Sequence, residues 1–502
     1  MSFSKKSWSR RNQVGSWRDY QSSLPKRYPR CAWPRGRKRR TFLPAPVLLG
    51  GLVLLALFGL FGFMRGGEDA AATVAEAPPP ASLVQSRTPA PLPDPPASAE
   101  PVSVPVAVAS PEPVAEPLPE VDGPLNREQV RQLLDPRMFA NLTEKNLILP
   151  VADGVLQVET SLDPDLQNFL LAGLDRKNSR HLGIVAMDPV SGRVLALAGF
   201  DRTDDGCNPC LQSEFPAASI FKIVTAATAV DLLGYSADSP MHFNGGKHTL
   251  YKGQLTERVD RNTTTVPFAE AFADSINPVF GKLGELRLGR PLLERAAATF
   301  GFNQPLEVDV SLPPSRFQVG DTPYNWAEIA SGFNRQTTLS PLHGAALVAA
   351  ILNDGRMPSQ TVVERIADEE GELLYQAGPV PGRRIMSPRA AGELERMMEA
   401  TVATGTARKA FRGHETDAVL ANLRLGGKTG SISNSARDVR YDWFVGYAKE
   451  RQGNRQLVVS VMVGHEDFIG TRAGEYARRA ISHYFSSPAI AQGGPGAPVD
   501  GI

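Results

Sequence analysis

Between residues 147 and 200 the chain alternates short apolar runs with turn residues. Leu147-Ile-Leu-Pro-Val and Val155-Leu-Gln-Val flank Asp153-Gly154, a dipeptide suited to a tight two-residue turn, and so predict a hairpin. Leu182-Gly-Ile-Val-Ala-Met and Arg193-Val-Leu-Ala-Leu-Ala, joined by a turn over 188–192, predict a second. Their apolar runs are unbroken, which implies strands buried on both faces. Helical spacing occurs at 126–134 and 166–174, then dominates the middle of the chain at 217–233, 267–288, 290–300, 341–353 and 387–403. Strand-like runs return at 361–366, 373–376, 426–431, 443–447 and 457–463. Strands at both ends and helices between them predict an α+β domain whose sheet unites distant segments.

Ahead of this domain the pattern changes twice. Phe42 to Met64 is an apolar run about as long as the roughly 20 residues a bilayer core requires, which predicts one transmembrane helix. Residues 65–122 are dominated by Pro, Ala, Val and Glu, including Pro78-Pro-Pro80, and predict an extended, disordered stalk. At ~3 Å per residue such a stalk reaches on the order of 100 Å. The expected organisation is a basic tail (1–41), an anchor (42–64), a linker (65–122), a short pedestal (123–158), a catalytic domain (159–487) and a disordered end (488–502).

Charge sharpens this picture. The net charge of +1 hides a tail rich in Lys and Arg, ending in Arg35-Gly-Arg-Lys-Arg-Arg40. Beside an apolar run, such a flank orients the anchor with the N-terminus in the cytoplasm and everything after Arg65 outside; no nucleic-acid partner is expected. Cysteine is sparse: Cys31, Cys207 and Cys210 make no disulfide framework. Cys207-Asn-Pro-Cys210 is compatible with a redox pair, half a metal site or a local bridge, and the oxidising outer compartment favours the bridge. The histidines are scattered, so no metal and no cofactor are expected.

Candidate chemistry centres on Ser219-Ile-Phe-Lys222, at the start of an apolar helix behind Pro216. A spacing of three sets hydroxyl and amine one turn apart on nearly one face. The amine serves as a base only where burial or a nearby cation depresses its pKa from ~10.4. The spacing alone discriminates little, since Ser2 to Lys5 and Ser23 to Lys26 also match. Two further clusters follow in order, Ser275-Ile-Asn277 and Lys428-Thr429-Gly430-Ser431, the latter in strand-like surroundings ahead of Trp443-Phe-Val-Gly-Tyr447.

In this order of clusters the sequence resembles the penicillin-binding transpeptidases, a superfamily shared with serine β-lactamases. Thr160-Ser-Leu-Asp-Pro-Asp-Leu-Gln167, Thr338-Leu-Ser-Pro-Leu342 and Thr404-Gly-Thr-Ala407 extend the resemblance over about residues 155–487. It implies a penicillin-binding/transpeptidase-like fold, with Ser219 as nucleophile towards D-Ala-D-Ala stem peptides of peptidoglycan and Lys222 as its base. It further implies Ser275 as proton relay and Asn277 as a side-chain amide that binds substrate and steadies Lys222. Lys428, Thr429 and Ser431 would hold the terminal carboxylate, Gly430 would leave room for substrate, and the N–H groups of Ser219 and Ser431 would form the oxyanion hole. β-Lactams are implied as covalent inhibitors. The segment between linker and catalytic domain, about 35 residues, is too short for a glycosyltransferase domain, so a membrane glycan polymerase is an expected partner. The alternatives are a D,D-carboxypeptidase or β-lactamase-like hydrolase, and a β-lactam sensor or non-catalytic wall-binding scaffold.

Overall fold

The computed structural model describes residues 119, 121 and 123–487 apart from 379 and 381. The expected anchor, most of the linker and the tail after 487 lie outside the described residues, and among those described no helix is long and apolar enough to cross a membrane.

In chain order the first half comprises α1 (Arg127–Leu133), β1 (Asn146–Val151), β2 (Gly154–Thr160), α2 (Pro164–Ala172), β3 (Ser179–Met187), β4 (Val194–Asp201) and the short β5 (Phe215–Pro216). The helical middle follows with α3 (Lys222–Leu233), β6 (Pro240–Phe243), β7 (Thr264–Pro267), α4 (Phe268–Ala273), α5 (Asn277–Lys282), α6 (Gly289–Thr299) and α7 (Pro323–Ala330). Next come β8 (Thr338–Leu339), α8 (Pro341–Leu352), β9 (Arg356–Met357), β10 (Val363–Ala367), β11 (Leu373–Gln376), β12 (Arg383–Arg384) and α9 (Pro388–Ala403). The chain closes with β13 (Leu423–Ser433), β14 (Arg440–Glu450), β15 (Gln456–His465) and α10 (Ala473–Ser486).

The main sheet is antiparallel, in the order β13-β14-β15-β3-β4. The second hairpin therefore sits beside the last three strands, as the α+β expectation requires. Its unbroken apolar runs have a direct cause, because both faces of the sheet are covered. Ile184 and Ala186 of β3 pack with Leu166 and Leu170 of α2 and with Ala477 and Ile481 of α10. Val185 and Met187, turned to the other face, pack in the core that contains Leu347 and Val348 of α8. An alternating strand would bury polar side chains on one of these faces, at a cost of a few kcal/mol each.

The first hairpin does not form a pedestal by itself. β2 pairs with β10, giving a second sheet in the order β1-β2-β10-β11 whose outer half comes from the middle of the chain. Buried Asp309 ties this junction by accepting hydrogen bonds from the Val362 and Val363 N–H groups at 2.9 and 3.2 Å.

Three local expectations are corrected. The single helix expected over 267–288 is broken at Asp274–Ile276, where Ser275 takes φ 55°. Helices α7 and α10 were not expected. The expected Cys207–Cys210 bridge is not formed. The Cys210 side chain is fully buried, with Sγ 3.4 Å from the Ile184 carbonyl and 3.5 Å from that of Ala198, whereas the Cys207 thiol turns outward to Asp204 at 3.0 Å. Asn208 locks the loop between them through its contacts with Cys210 N–H and the Leu197 carbonyl, so a bridge would draw Cys210 out of the core.

Burial pushes the Asp309 carboxyl up to about 6. An unfolded chain sheds this proton first, near pH 4, so between about pH 4 and 6 this group makes the fold less stable as pH rises. Thermal unfolding of the full-length chain across that range is expected to show this downward contribution in the wild type and to lack it in Asp309→Asn.

Candidate active site

The three candidate clusters meet at the open edge of the main sheet. Ser219 lies on a 3-10 turn, Ala218–Phe221, that leads directly into α3. The turn is held from two sides. Trp443 Nε1 donates to the Pro216 carbonyl at 2.9 Å from β14, and Ala217 N–H donates to the Thr337 carbonyl beside β8. Ala218 has φ 48° and Ser275 φ 55°, left-handed conformations that cost a non-glycine residue on the order of 1–3 kcal/mol each. Both flank the site, and each turns a serine towards it. Gly332 fits against the turn because it has no side chain: a Cβ there would come within 2.0 Å of the Ala218 carbonyl oxygen.

Lys222 is wholly buried, and its Nζ touches three oxygens: Ser219 Oγ at 2.9 Å, Asn277 Oδ1 at 2.8 Å and the Ser331 carbonyl at 2.5 Å. Burial, with a further push from the Lys428 charge, holds its pKa well below that of an ordinary lysine. The neutral form has two N–H bonds and a lone pair. Asn277 Oδ1 and the Ser331 carbonyl only accept, so they take the two N–H bonds and leave the lone pair for the Ser219 hydroxyl. That is the geometry of a base poised on a nucleophile. Asn277 is oriented in turn by Nδ2, which donates to the His248 carbonyl at 3.0 Å.

Lys428 reaches the same cleft from β13. It is also fully buried, and its Nζ donates to Ser275 Oγ at 3.1 Å and to the Thr429 carbonyl at 2.9 Å. Burial lowers its pKa to about 7. Ser275 Oγ therefore accepts a hydrogen bond from Lys428 rather than capping a helix.

β13 pairs with β14 alone, so its other edge is open. In an antiparallel ladder the residues alternate between facing the partner and facing away. The turn bond from Asn434 N–H to the Val439 carbonyl sets the phase, and the register runs unbroken from there to Leu423. Asn434, Ile432 and Gly430 direct their backbone groups to β14, and Ser433, Ser431 and Thr429 direct theirs to the open edge. Gly430 lies where a Cβ would be 3.3 Å from both the Ser219 nitrogen and Ala218 Cβ. The Ser219 and Ser431 N–H groups thus border one space beside the nucleophile, an arrangement able to hold a developing oxyanion.

Every site residue expected from the sequence except the cysteine pair falls within this cluster. Sequence reasoning missed the Ser331 carbonyl, Gly332 and the role of Thr406. The signal for the first two was a Thr322-Pro323 helix start ahead of Ser331-Gly332. Thr406 Oγ1 is 2.6 Å from Thr429 Oγ1, and its N–H bonds the Ala273 carbonyl at 3.1 Å. The Thr406 hydroxyl also donates to the Ala273 carbonyl, at 3.0 Å, so in its contact with Thr429 it accepts and the Thr429 hydroxyl donates.

Fold and site together define a serine acyltransferase-type enzyme. A model of the family described as "Penicillin binding protein transpeptidase domain" matches residues 182–484. The chain belongs to this family of penicillin-binding protein transpeptidase domains. Penicillin-binding protein 1B of Vibrio cholerae is 26% identical over 332 residues, which cover 63% of this chain and 38% of that protein. The chain spans less than two thirds of the length of the curated relatives it matches first. The D,D-transpeptidase domain of a peptidoglycan glycosyltransferase from Eggerthella lenta superposes with a TM-score of 0.53 at 23% identity, covering 66% of this chain and 82% of that one. The imipenem acyl-enzyme complex of penicillin-binding protein A from Mycobacterium tuberculosis gives 0.53 at 20% identity, covering 65% and 79%. At these identities the two structures establish the fold.

Acylation of the free enzyme is expected to follow a bell-shaped pH profile. The rate falls at low pH as Lys222 gains a proton, and falls as pH rises through about 7, where Lys428 loses one. Stopped-flow acylation by a chromogenic cephalosporin checks this, with Lys428→Arg, which stays charged, lacking the alkaline limb. Lys222→Arg is expected to slow acylation by about 10²–10⁴, the usual worth of a general base.

Proposed function

We propose that this protein is a peptidoglycan D,D-transpeptidase that forms a Ser219 acyl-enzyme from D-Ala-D-Ala stem peptides and transfers the acyl group to a second stem. The observation that carries the reading is the buried Lys222 amine, with its lone pair left to Ser219.

In the proposed cycle Lys222 takes the Ser219 proton as Oγ attacks the carbonyl of the penultimate D-alanine. The oxyanion rests on the N–H groups of Ser219 and Ser431. The tetrahedral intermediate breaks its C–N bond, and the departing D-alanine nitrogen receives the proton that Lys222 took from Ser219, relayed through the Ser275 hydroxyl, so that Lys222 is neutral again. Lys428 and the Thr429 and Ser431 hydroxyls hold the terminal carboxylate. The amine of a second stem then attacks the ester, loses its proton to Lys222, and Ser219 is released with its hydrogen restored.

The basic tail and apolar run of the sequence support a single-pass anchor in the cytoplasmic membrane, with the catalytic domain outside. On this reading β-lactams acylate Ser219. A membrane glycan polymerase supplies the strands that the transpeptidase joins.

The test is labelling of the full-length chain by a fluorescent penicillin, with mass spectrometric mapping, alongside cross-linking of nascent glycan in vitro. Label on the Ser219 peptide, absent from Ser219→Ala, together with dimeric stem peptides, is the expected result. Release of D-alanine with monomeric tetrapeptides alone would replace transfer by hydrolysis, and absence of label would leave a non-catalytic scaffold.

A further inference from the structure

We propose that Arg335 and Arg440 form an anion subsite at the outer end of the open β13 edge. It selects donor stem peptides in which the residue before D-Ala-D-Ala carries a free side-chain carboxylate. The inference rests on the transpeptidase reading above and adds to it the chemical class of the donor.

Its basis is the direction in which a donor must lie. The carboxylate-holding residues Lys428 and Thr429 mark the inner end of the edge, and Gly430 stands beside Ser219. The acyl half of the donor therefore runs outward along Ser431 to Ser433. At roughly 3.3 Å per residue, the open-edge groups of Ser431 and Ser433 are about 7 Å apart, one strand repeat. Ser431 offers its carbonyl to the donor's backbone, but the next acceptor is taken: Arg335 Nε donates to the Ser433 carbonyl at 2.7 Å. Pairing with the donor ends there, and the residue upstream of the acylating D-alanine meets a guanidinium where it would otherwise find a strand.

A second guanidinium closes the same end. Arg440 lies opposite Ser433 in the ladder, and its Nε donates to Ser431 Oγ at 3.0 Å. Each arginine is fixed through Nε alone, which leaves the Nη N–H groups of both without a protein acceptor among the described residues. Neither forms an ion pair among those residues, although Arg180, Arg202, Arg290, Arg396, Arg424 and Arg478 all do. Glu328 is within electrostatic reach of Arg335 without pairing to it. Two oriented forks with free donors match a carboxylate and give nothing comparable to an amide or an ammonium group.

The experiment uses the full-length chain in detergent and two synthetic pentapeptide donors that differ only in whether that side-chain carboxylate is free or amidated. D-Alanine release gives kcat and KM for each, and fluorescent penicillin reports Ser219 in parallel. The wild type is expected to favour the free carboxylate by about tenfold or more in kcat/KM, mainly through KM, the scale of one charge-assisted hydrogen bond. Arg335→Gln and Arg440→Gln should each reduce that ratio, the double variant should bring it near one, and Arg335→Lys should retain part of it. A purely structural role for Arg335 would change both donors alike and leave the ratio intact. Equal use of the two donors by the wild type, or an unmoved ratio in the double variant, overturns the subsite while penicillin label on Ser219 upholds the transpeptidase reading. No label and no release overturn both.

Discussion

An amine wholly removed from water is the constraint around which this domain is organised. Lys222 is worth burying only if every hydrogen-bond partner around it is supplied by the protein, and those partners come from three separate places: its own turn, the start of α5 and the end of α7. Each must arrive within a few tenths of an ångström. The helical middle of the chain is the apparatus that brings them together, and the main sheet is the wall against which it is fixed, through Trp443 and Pro216.

The second amine shows how little separates a structural charge from a chemical one. Lys428 is as buried as Lys222 and lowers its proton affinity, yet has different company, the Ser275 hydroxyl and the carbonyl of its own neighbour Thr429. Burial lowers the pKa of both, and the Lys428 charge pushes Lys222 down further. Strain enters at the points where ordinary geometry would miss: Ala218 and Ser275 occupy left-handed backbone conformations that neither side chain favours, and the packing around them must outweigh that cost.

The parts of this architecture legible in the sequence were those with local causes. The two hairpins showed in turn dipeptides and apolar runs, and the strand carrying Lys428 in its glycines and flanking apolar residues. Serine and lysine on one turn were legible from spacing. What escaped had non-local causes. The break at Ser275 is the exception, because Pro278 near the start of α5 is a local signal that the apolar spacing over 267–288 obscured. The Ser331 carbonyl is a backbone atom, invisible to any reading of side chains. Val158 and Ile366 are paired across two hundred residues, so the hairpin assigned to a short pedestal is half of a larger sheet. Cys207 and Cys210 were read from compartment and spacing, whereas the packing of Cys210 between strand carbonyls decided the matter.

The free side of β13 also bears on self-association. An unpaired strand edge invites another chain of the same protein to add to it, the usual first step towards aggregation. Here the inner part of the edge faces the serine turn and the outer carbonyl is occupied by Arg335. The exposed ladder is therefore too short and too charged at its end for a long strand to join. A short peptide is accommodated and a neighbouring sheet is refused, so the same few atoms serve colloidal stability as well as recognition.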